Sequence, residues 1–124
     1  MSMTAGKSKS LHLIQWIMLL SITTLMMVAC GSQEPAEISI TLSEFSIEPN
    51  EVTVPAGEVN FTVQNIGALE HNFEIEGVQE KIDFVLPTET ETLETTLSAG
   101  SYVLVCTVEG HREAGMVGTL IVEE

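Results

Sequence analysis

The sequence predicts an all-β domain, folded as a Greek-key β-sandwich of about seven to eight strands. Short segments in which apolar and polar residues alternate recur from residue 37 to the C-terminus. Turn signals rich in Gly, Pro and Asn separate these segments. No segment of that region shows the longer apolar period of an amphipathic helix. The length of 124 residues leaves room for one such domain.

The first strands are predicted where the alternation is clearest. EISITL at 37–42 alternates isoleucine and leucine with polar residues, and EVNFTVQN at 58–65 does the same with valine and phenylalanine. VPAG at 54–57 and NIG at 65–67 are turn signals. Each of these two strands therefore turns one apolar face toward a core.

The second half of the domain continues the pattern. The segment from Gly77 to Pro87 is ambiguous, because it could be a loop or hold a short helical turn before a strand at Ile82–Leu86. TETETLETTL is rich in Thr, which suits an outer strand with Leu93 and Leu97 turned inward. The other strands of this half are predicted at HNFEI (71–75), TETETLETTL (88–97), SAGSYVLVC (98–106) and GTLIV (118–122).

The N-terminus has the features of a targeting segment. Lys7 and Lys9 precede a mostly apolar stretch that ends at MVAC, and this ending resembles the lipobox of bacterial lipoprotein signals. On that basis residues 1–29 are a signal peptide, Cys30 is lipidated, and residues 30–36 form a short polar tether to the domain at 37–124. The alternative is an uncleaved transmembrane helix, which would also hold the domain outside the cytoplasm at a membrane.

The charge balance excludes some partners. The chain has a formal net charge of −14, and removal of Lys7 and Lys9 with the signal leaves −16 on the rest. Such a surface excludes nucleic acid and favours a basic protein partner. We expect the domain to be a monomer.

A cysteine, a histidine and a methionine stand close together in CTVEGHREAGM. Cys106 ends a predicted strand and His71 begins another, so both are expected at one pole of the sandwich, where His111 and Met116 can fold back onto them. Two imidazoles, a thiolate and a thioether are the ligands of a copper electron-transfer site. Taken singly, each residue has a plainer interpretation. Cys106 could be a buried inert thiol or form a disulfide with Cys30, Met116 could simply fill the core, and a histidine could simply be hydrogen-bonded.

The sequence resembles the cupredoxin family of blue copper proteins, which includes plastocyanin, azurin, auracyanin and halocyanin. NIGALEHNF and YVLVCTVEGHREAGMVGTLIV carry the resemblance, which covers residues 37–122. It implies a single type 1 copper ion. The residues that the resemblance implies as copper ligands are His71, Cys106, His111 and Met116.

The resemblance also assigns supporting roles around the copper site. Asn72 matches an asparagine that hydrogen-bonds near the cysteine sulfur and to the next residue, which here is Thr107, a residue able to form that hydrogen bond. Glu109 departs from the proline that many relatives carry, so we expect Glu109→Pro to stiffen the loop and raise the reduction potential. An apolar rim for docking a redox partner is expected around His111, from Ala68, Leu69, Ala114, Gly115 and Val117.

These features predict a one-electron carrier that cycles copper between Cu(I) and Cu(II), with no enzymatic activity. Copper oxidases and nitrite reductases need a second copper centre, and only His71 and His111 remain after the signal. The alternative is a copper-binding or copper-delivery protein without a redox task. The expected partners are a basic c-type cytochrome or a membrane redox complex. We expect an extracytoplasmic location, periplasmic or at the cell surface, anchored by lipid on Cys30.

Overall fold

The computed structural model describes residues 33–124, and these residues form nine β-strands in two sheets. The predicted signal peptide and Cys30 lie outside the described residues. The strands are β1 (Ala36–Ser43), β2 (Ser46–Glu48), β3 (Glu51–Pro55), β4 (Gly57–Asn65), β5 (His71–Ile75), β6 (Lys81–Val85), β7 (Thr90–Leu97), β8 (Gly100–Val105) and β9 (Val117–Glu123).

The first sheet has four strands in the order β2-β1-β4-β7. β1 runs parallel to β4, from the pair Ala36 and Val59 to the pair Leu42 and Asn65. β7 runs antiparallel to β4 on the other side. Because β1 and β4 are parallel, both strands end at the same pole of the domain.

The second sheet has five strands in the order β3-β9-β8-β5-β6. β3 is parallel to β9, whereas the other neighbours are antiparallel. The pairs Glu74 with Val105 and Ile75 with Leu104 join β5 to β8. This register brings the start of β5 next to the end of β8, at the pole where the candidate ligands lie.

The inner faces of the two sheets form the hydrophobic core. Val59, Phe61 and Val63 alternate with more exposed residues along β4 and are all fully buried. Phe61 of β4 lies against Phe73 of β5 in the other sheet, with ring centroids 5.6 Å apart. Burying such side chains stabilises the fold by about 2 kcal/mol each, which holds the two sheets face to face.

The all-β prediction is confirmed. Residues 33–124 contain no helix, and therefore none that could cross a membrane. The ambiguous segment 77–87 holds strand β6 at Lys81–Val85, one residue before the predicted position. Leu93 and Leu97 are buried, as predicted for the Thr-rich strand. The two strands that were not predicted are the short β2 and β3.

Candidate copper site

Three potential ligand side chains converge at this pole. The ligand atoms of His71, Cys106 and His111 all lie within 4.8 Å of one another. The two Nδ1 atoms of the histidines are 3.2 Å apart, and the Cys106 Sγ atom lies 3.5 Å from His111 Nδ1 and 4.0 Å from His71 Nδ1. His71 and Cys106 are fully buried, whereas His111 keeps 7% of its surface exposed. The structure therefore brings together three of the four predicted ligands in a single cluster.

The fourth predicted ligand, Met116, is tied to the same loop through its backbone. Its amide donates a hydrogen bond to the His111 carbonyl (3.0 Å), and its carbonyl accepts one from the Cys106 amide (3.2 Å). Its side chain is fully buried in the hydrophobic core. These bonds fix where Met116 stands relative to both Cys106 and His111.

A tight turn shapes the loop between Cys106 and His111. The His111 amide donates to the Val108 carbonyl at 3.0 Å, and Gly110 has a φ of +82°. A hydrogen bond across four residues with a positive φ at the third is the pattern of a type II turn, which favours glycine at that position. Arg112 then pairs with Glu76 after β5, which ties the loop to the second sheet.

The donor set fits copper. Both histidines turn Nδ1 toward Cys106, and a neutral imidazole can offer that nitrogen as a lone-pair donor. Burial, reinforced by the neighbouring His111, holds the pKa of His71 below its ordinary value, so the ring is neutral near neutral pH. A soft thiolate with borderline imidazoles and no carboxylate in the cluster matches copper better than calcium or magnesium.

Asn72 and Thr107 hold the chain directly after Cys106. The Asn72 side chain accepts a hydrogen bond from the Thr107 amide and donates one to the Thr107 hydroxyl, both at 2.7 Å. The Thr107 hydroxyl in turn donates to a Glu74 carboxylate oxygen at 2.9 Å. The predicted partnership between Asn72 and Thr107 is thus present as a reciprocal pair of bonds.

Glu44 is a neighbour of the site that the sequence reasoning missed. Its Oε1 atom lies 3.5 Å from His71 Nε2, on the side of the ring away from Cys106. At that separation His71 Nε2 still lacks a regular hydrogen-bond partner in the described part of the chain. The hydrogen bond from the Leu69 amide, with smaller contributions from the amides of Glu44 itself and of Ala68, lowers the pKa of the Glu44 carboxyl, so it is ionised at neutral pH.

Phe45 was missed as well. Its ring meets the His111 ring edge to face at a centroid distance of 5.0 Å, and 41% of the residue is exposed. All five residues of the predicted apolar rim are exposed, with Leu69 at 47% and Val117 at 39%. The exposed edge of His111 therefore lies beside an aromatic ring that the sequence pattern did not assign to the rim.

The missed residues share a cause. Glu44 and Phe45 follow β1 directly, and they reach the site because β1 runs parallel to β4 and ends at the same pole. The only sign of these two neighbours in the sequence is a charged and an aromatic residue just after a predicted strand. That signal becomes informative only once the parallel pairing is known.

Comparisons with known proteins agree with this architecture. The model of the cupredoxin-like domain family matches residues 11–122. A dithionite-reduced auracyanin from Roseiflexus castenholzii is 24% identical, with a TM-score of 0.64 over 72% of this chain and 98% of its own. Auracyanin A from Chloroflexus aurantiacus, described as a "blue" copper protein, is also 24% identical, with a TM-score of 0.64 over 72% of this chain and 99% of its own.

A third similar structure is a blue copper oxidase from Nitrosomonas europaea, 21% identical with a TM-score of 0.65. The similarity covers 73% of this chain but only 39% of the oxidase. A sequence comparison with curated proteins gives no match. The family match, the two-sheet fold and the arrangement of His, Cys, His and Met support one type 1 copper ion and electron transfer. The chain belongs to the cupredoxin-like domain family.

Proposed function

We propose that this protein is a one-electron carrier whose copper ion is held by His71, Cys106, His111 and Met116. The observation that carries the proposal is the buried cluster of two imidazole nitrogens and a thiol sulfur within 4.8 Å. Buried imidazole and thiol donors without a carboxylate are ligands that suit copper. Bound copper supplies one-electron chemistry there by alternating between Cu(I) and Cu(II).

The protein contributes a site that resists rearrangement. Cys106 is fixed by its backbone bond to Met116, and the following residue, Thr107, is fixed by Asn72. The His111 turn is closed by its own hydrogen bond to Val108. Ligands held in one position by the surrounding chain need little reorganisation when the charge of the site changes, which favours rapid electron transfer.

His111 is the best-placed residue for electrons to enter and leave. It is the only one of the four proposed ligands with measurable exposure, whereas the other three are fully buried. Phe45 and the exposed apolar residues Leu69 and Val117 supply a surface on which a partner can exclude water. A partner docked there would approach the copper ligand through its exposed ring edge.

The site lacks features of a copper enzyme. A second copper centre would need additional histidines, and residues 33–124 contain only His71 and His111. The blue copper oxidase is more than twice as long as the region that resembles this chain. We therefore propose that electron transfer is the whole of its chemistry, and that the domain acts as a monomer.

The partners and the location complete the proposal. Its charge of −16 without the signal favours a basic redox partner, such as a c-type cytochrome or a basic face of a membrane complex. Lipid on Cys30 would hold the domain on the outer side of a membrane, and the short segment before β1 would keep it near that surface. This placement rests on the N-terminal sequence.

The visible absorption spectrum of residues 33–124 with Cu(II) tests the function, because this part contains all nine strands and the four proposed ligands. We expect an intense blue or green thiolate-to-copper band that bleaches with ascorbate and returns on oxidation. A colourless protein that holds Cu(I) and resists oxidation would favour copper delivery instead. Binding of zinc alone would favour a structural metal site, since His and Cys also bind zinc well.

A further inference from the structure

Glu44 is built into the loop that leads to His71. The β1 strand ends at Ser43, and the Glu44 Oε1 atom accepts hydrogen bonds from the amides of Ala68 (2.8 Å) and Leu69 (2.7 Å). The carboxylate also packs against Gly67, where an added Cβ would clash with Oε1. Glycine at this position therefore makes room for the Glu44 side chain.

The atom that this carboxylate faces has no other partner. His71 Nε2 is the buried side-chain nitrogen that lacks a hydrogen bond within residues 33–124, and Glu44 Oε1 lies 3.5 Å from it. His71 Nδ1 faces Cys106 and His111, and when this nitrogen binds the metal, the proton of the neutral ring is on Nε2. A carboxylate oxygen is thus held at the end of the ring from which that proton points outward.

We infer that Glu44 is a positioning residue for His71, which orients the ring and makes it a stronger donor to Cu(II) than to Cu(I). This inference rests on the proposed function. Metal-binding histidines commonly donate their other ring N–H to a carboxylate, which fixes the tautomer and raises the basicity of the ligand. A more basic ligand beside a fixed negative charge favours the more highly charged ion, and the reduction potential falls as a result.

Glu44→Gln separates this role from the purely structural one. The amide oxygen of glutamine can still accept the hydrogen bonds from Ala68 and Leu69, so the loop keeps its support, but the charge beside His71 is lost. Glu58→Gln is the matched control: Glu58 is exposed on β4, at the far end of that strand from Asn65. Both variants change the net charge of the chain by the same amount.

Voltammetry on the copper-loaded full-length chain in detergent measures the effect. In Glu44→Gln we expect the Cu(II) affinity to fall about tenfold more than the Cu(I) affinity, by analogy with the loss of other such partners. For a one-electron couple this raises the reduction potential by about 59 mV. The potential of Glu58→Gln should stay at the value of the unmutated protein. An unchanged or lower potential in Glu44→Gln would overturn the inference.

A measurement on the unmutated protein keeps the inference testable if Glu44→Gln does not fold. In the diamagnetic Cu(I) form, proton NMR should show the His71 Nε2 proton shifted downfield, because a hydrogen bond to the Glu44 carboxylate deshields it. The chemical shift of an imidazole N–H without an acceptor would count against the role of Glu44. Absence of the thiolate-to-copper band from the unmutated protein would overturn the proposed function as well, whereas a normal band with equal potentials would overturn only this inference.

Discussion

At the scale of single residues, Asn72 is expected to matter for stability as well as for copper. It is buried and makes two hydrogen bonds to Thr107, one of them to the Thr107 amide. Asn72→Ala leaves that amide without its partner at a half-buried position, where the loss of a hydrogen bond costs about 1 kcal/mol. We expect chemical denaturation of the metal-free chain to show a loss of about 1 kcal/mol in the free energy of unfolding.

Asn60→Ala is the matched control for this prediction. Asn60 of β4, itself half-buried, also donates a side-chain hydrogen bond, to Glu37, but that bond is exposed to water. Water can replace an exposed bond, so this variant should change the free energy of unfolding by less than about 0.5 kcal/mol. Equal losses in the two variants would contradict the role assigned to Asn72.

Met116 can be tested as a ligand without disturbing the core that it fills. Met116→Leu keeps nearly the same volume, and such exchanges cost less than about 1.5 kcal/mol of stability. The thioether is lost, however, and the axial ligand of a blue copper site tunes its reduction potential. We expect the metal-free chain to remain folded and the potential of the copper-loaded chain to rise, because a donor to Cu(II) has been removed.

The control for Met116 is the reverse exchange at a site without a proposed ligand. Leu104 is fully buried on β8, so Leu104→Met makes a similar change in shape inside the same core. The reduction potential of Leu104→Met should match that of the unmutated protein. Potentials that move equally in both variants, or in neither, would mean that Met116 only fills the core.

At the scale of elements, the turn that carries His111 is suited to a proline. Glu109 is exposed and precedes Gly110, which has a φ of +82°, and the Glu109 amide donates no backbone hydrogen bond within the described residues. The second position of a type II turn favours proline. Glu109→Pro should therefore raise the free energy of unfolding by about 0.4–1 kcal/mol, because the unfolded chain loses conformational freedom.

Glu109→Ala separates the backbone effect from the effect of charge. Both substitutions remove a carboxylate near His111, so both should raise the reduction potential in voltammetry. Only the proline should stabilise the metal-free chain in urea denaturation. A destabilising proline would mean that residue 109 does not have the fixed φ that this kind of turn requires.

The strands differ in how well the sequence predicts them. β4 and β5 alternate apolar and polar residues, so their inner faces follow from the pattern, whereas β8 is apolar at all of residues 102–105 and is recognised by the turn signal before it. β2 spans only Ser46–Glu48 and buries a single residue, Ile47, which is too short for a period to show. β3 alternates the buried Val52 and Val54 with exposed residues. It was nevertheless missed, because its parallel partner β9 is far along the chain.

The same limit explains which parts of the site were predicted. The four proposed ligands lie in two segments with recognisable residue types and spacing. Glu44 and Phe45 depend on the pairing of β1 with β4, which arises from packing of the whole sheet. Long-range parallel pairing leaves no local sequence signal, so the surroundings of His71 and His111 required the structure.

At the scale of the whole molecule, the excess of negative charge is almost unopposed. The described residues contain two cations, and both are already paired: Lys81 lies 3.0 Å from Asp83, and Arg112 pairs with Glu76. The remaining carboxylates therefore contribute to a field of one sign. Such a field attracts cationic partners from a distance and repels anionic ones.

The rate of electron transfer to small inorganic oxidants should reveal this field. We expect the copper(I) protein to react faster with a cationic cobalt complex at low salt, and to slow on the order of tenfold as the ionic strength rises. With ferricyanide the rate should instead rise with ionic strength, because added salt screens the repulsion between two anions. Stopped-flow absorption of the thiolate-to-copper band measures both rates on the same sample. Rates that do not depend on salt with either oxidant would mean that the apolar surface beside His111 determines the encounter and that the net charge has no part in it.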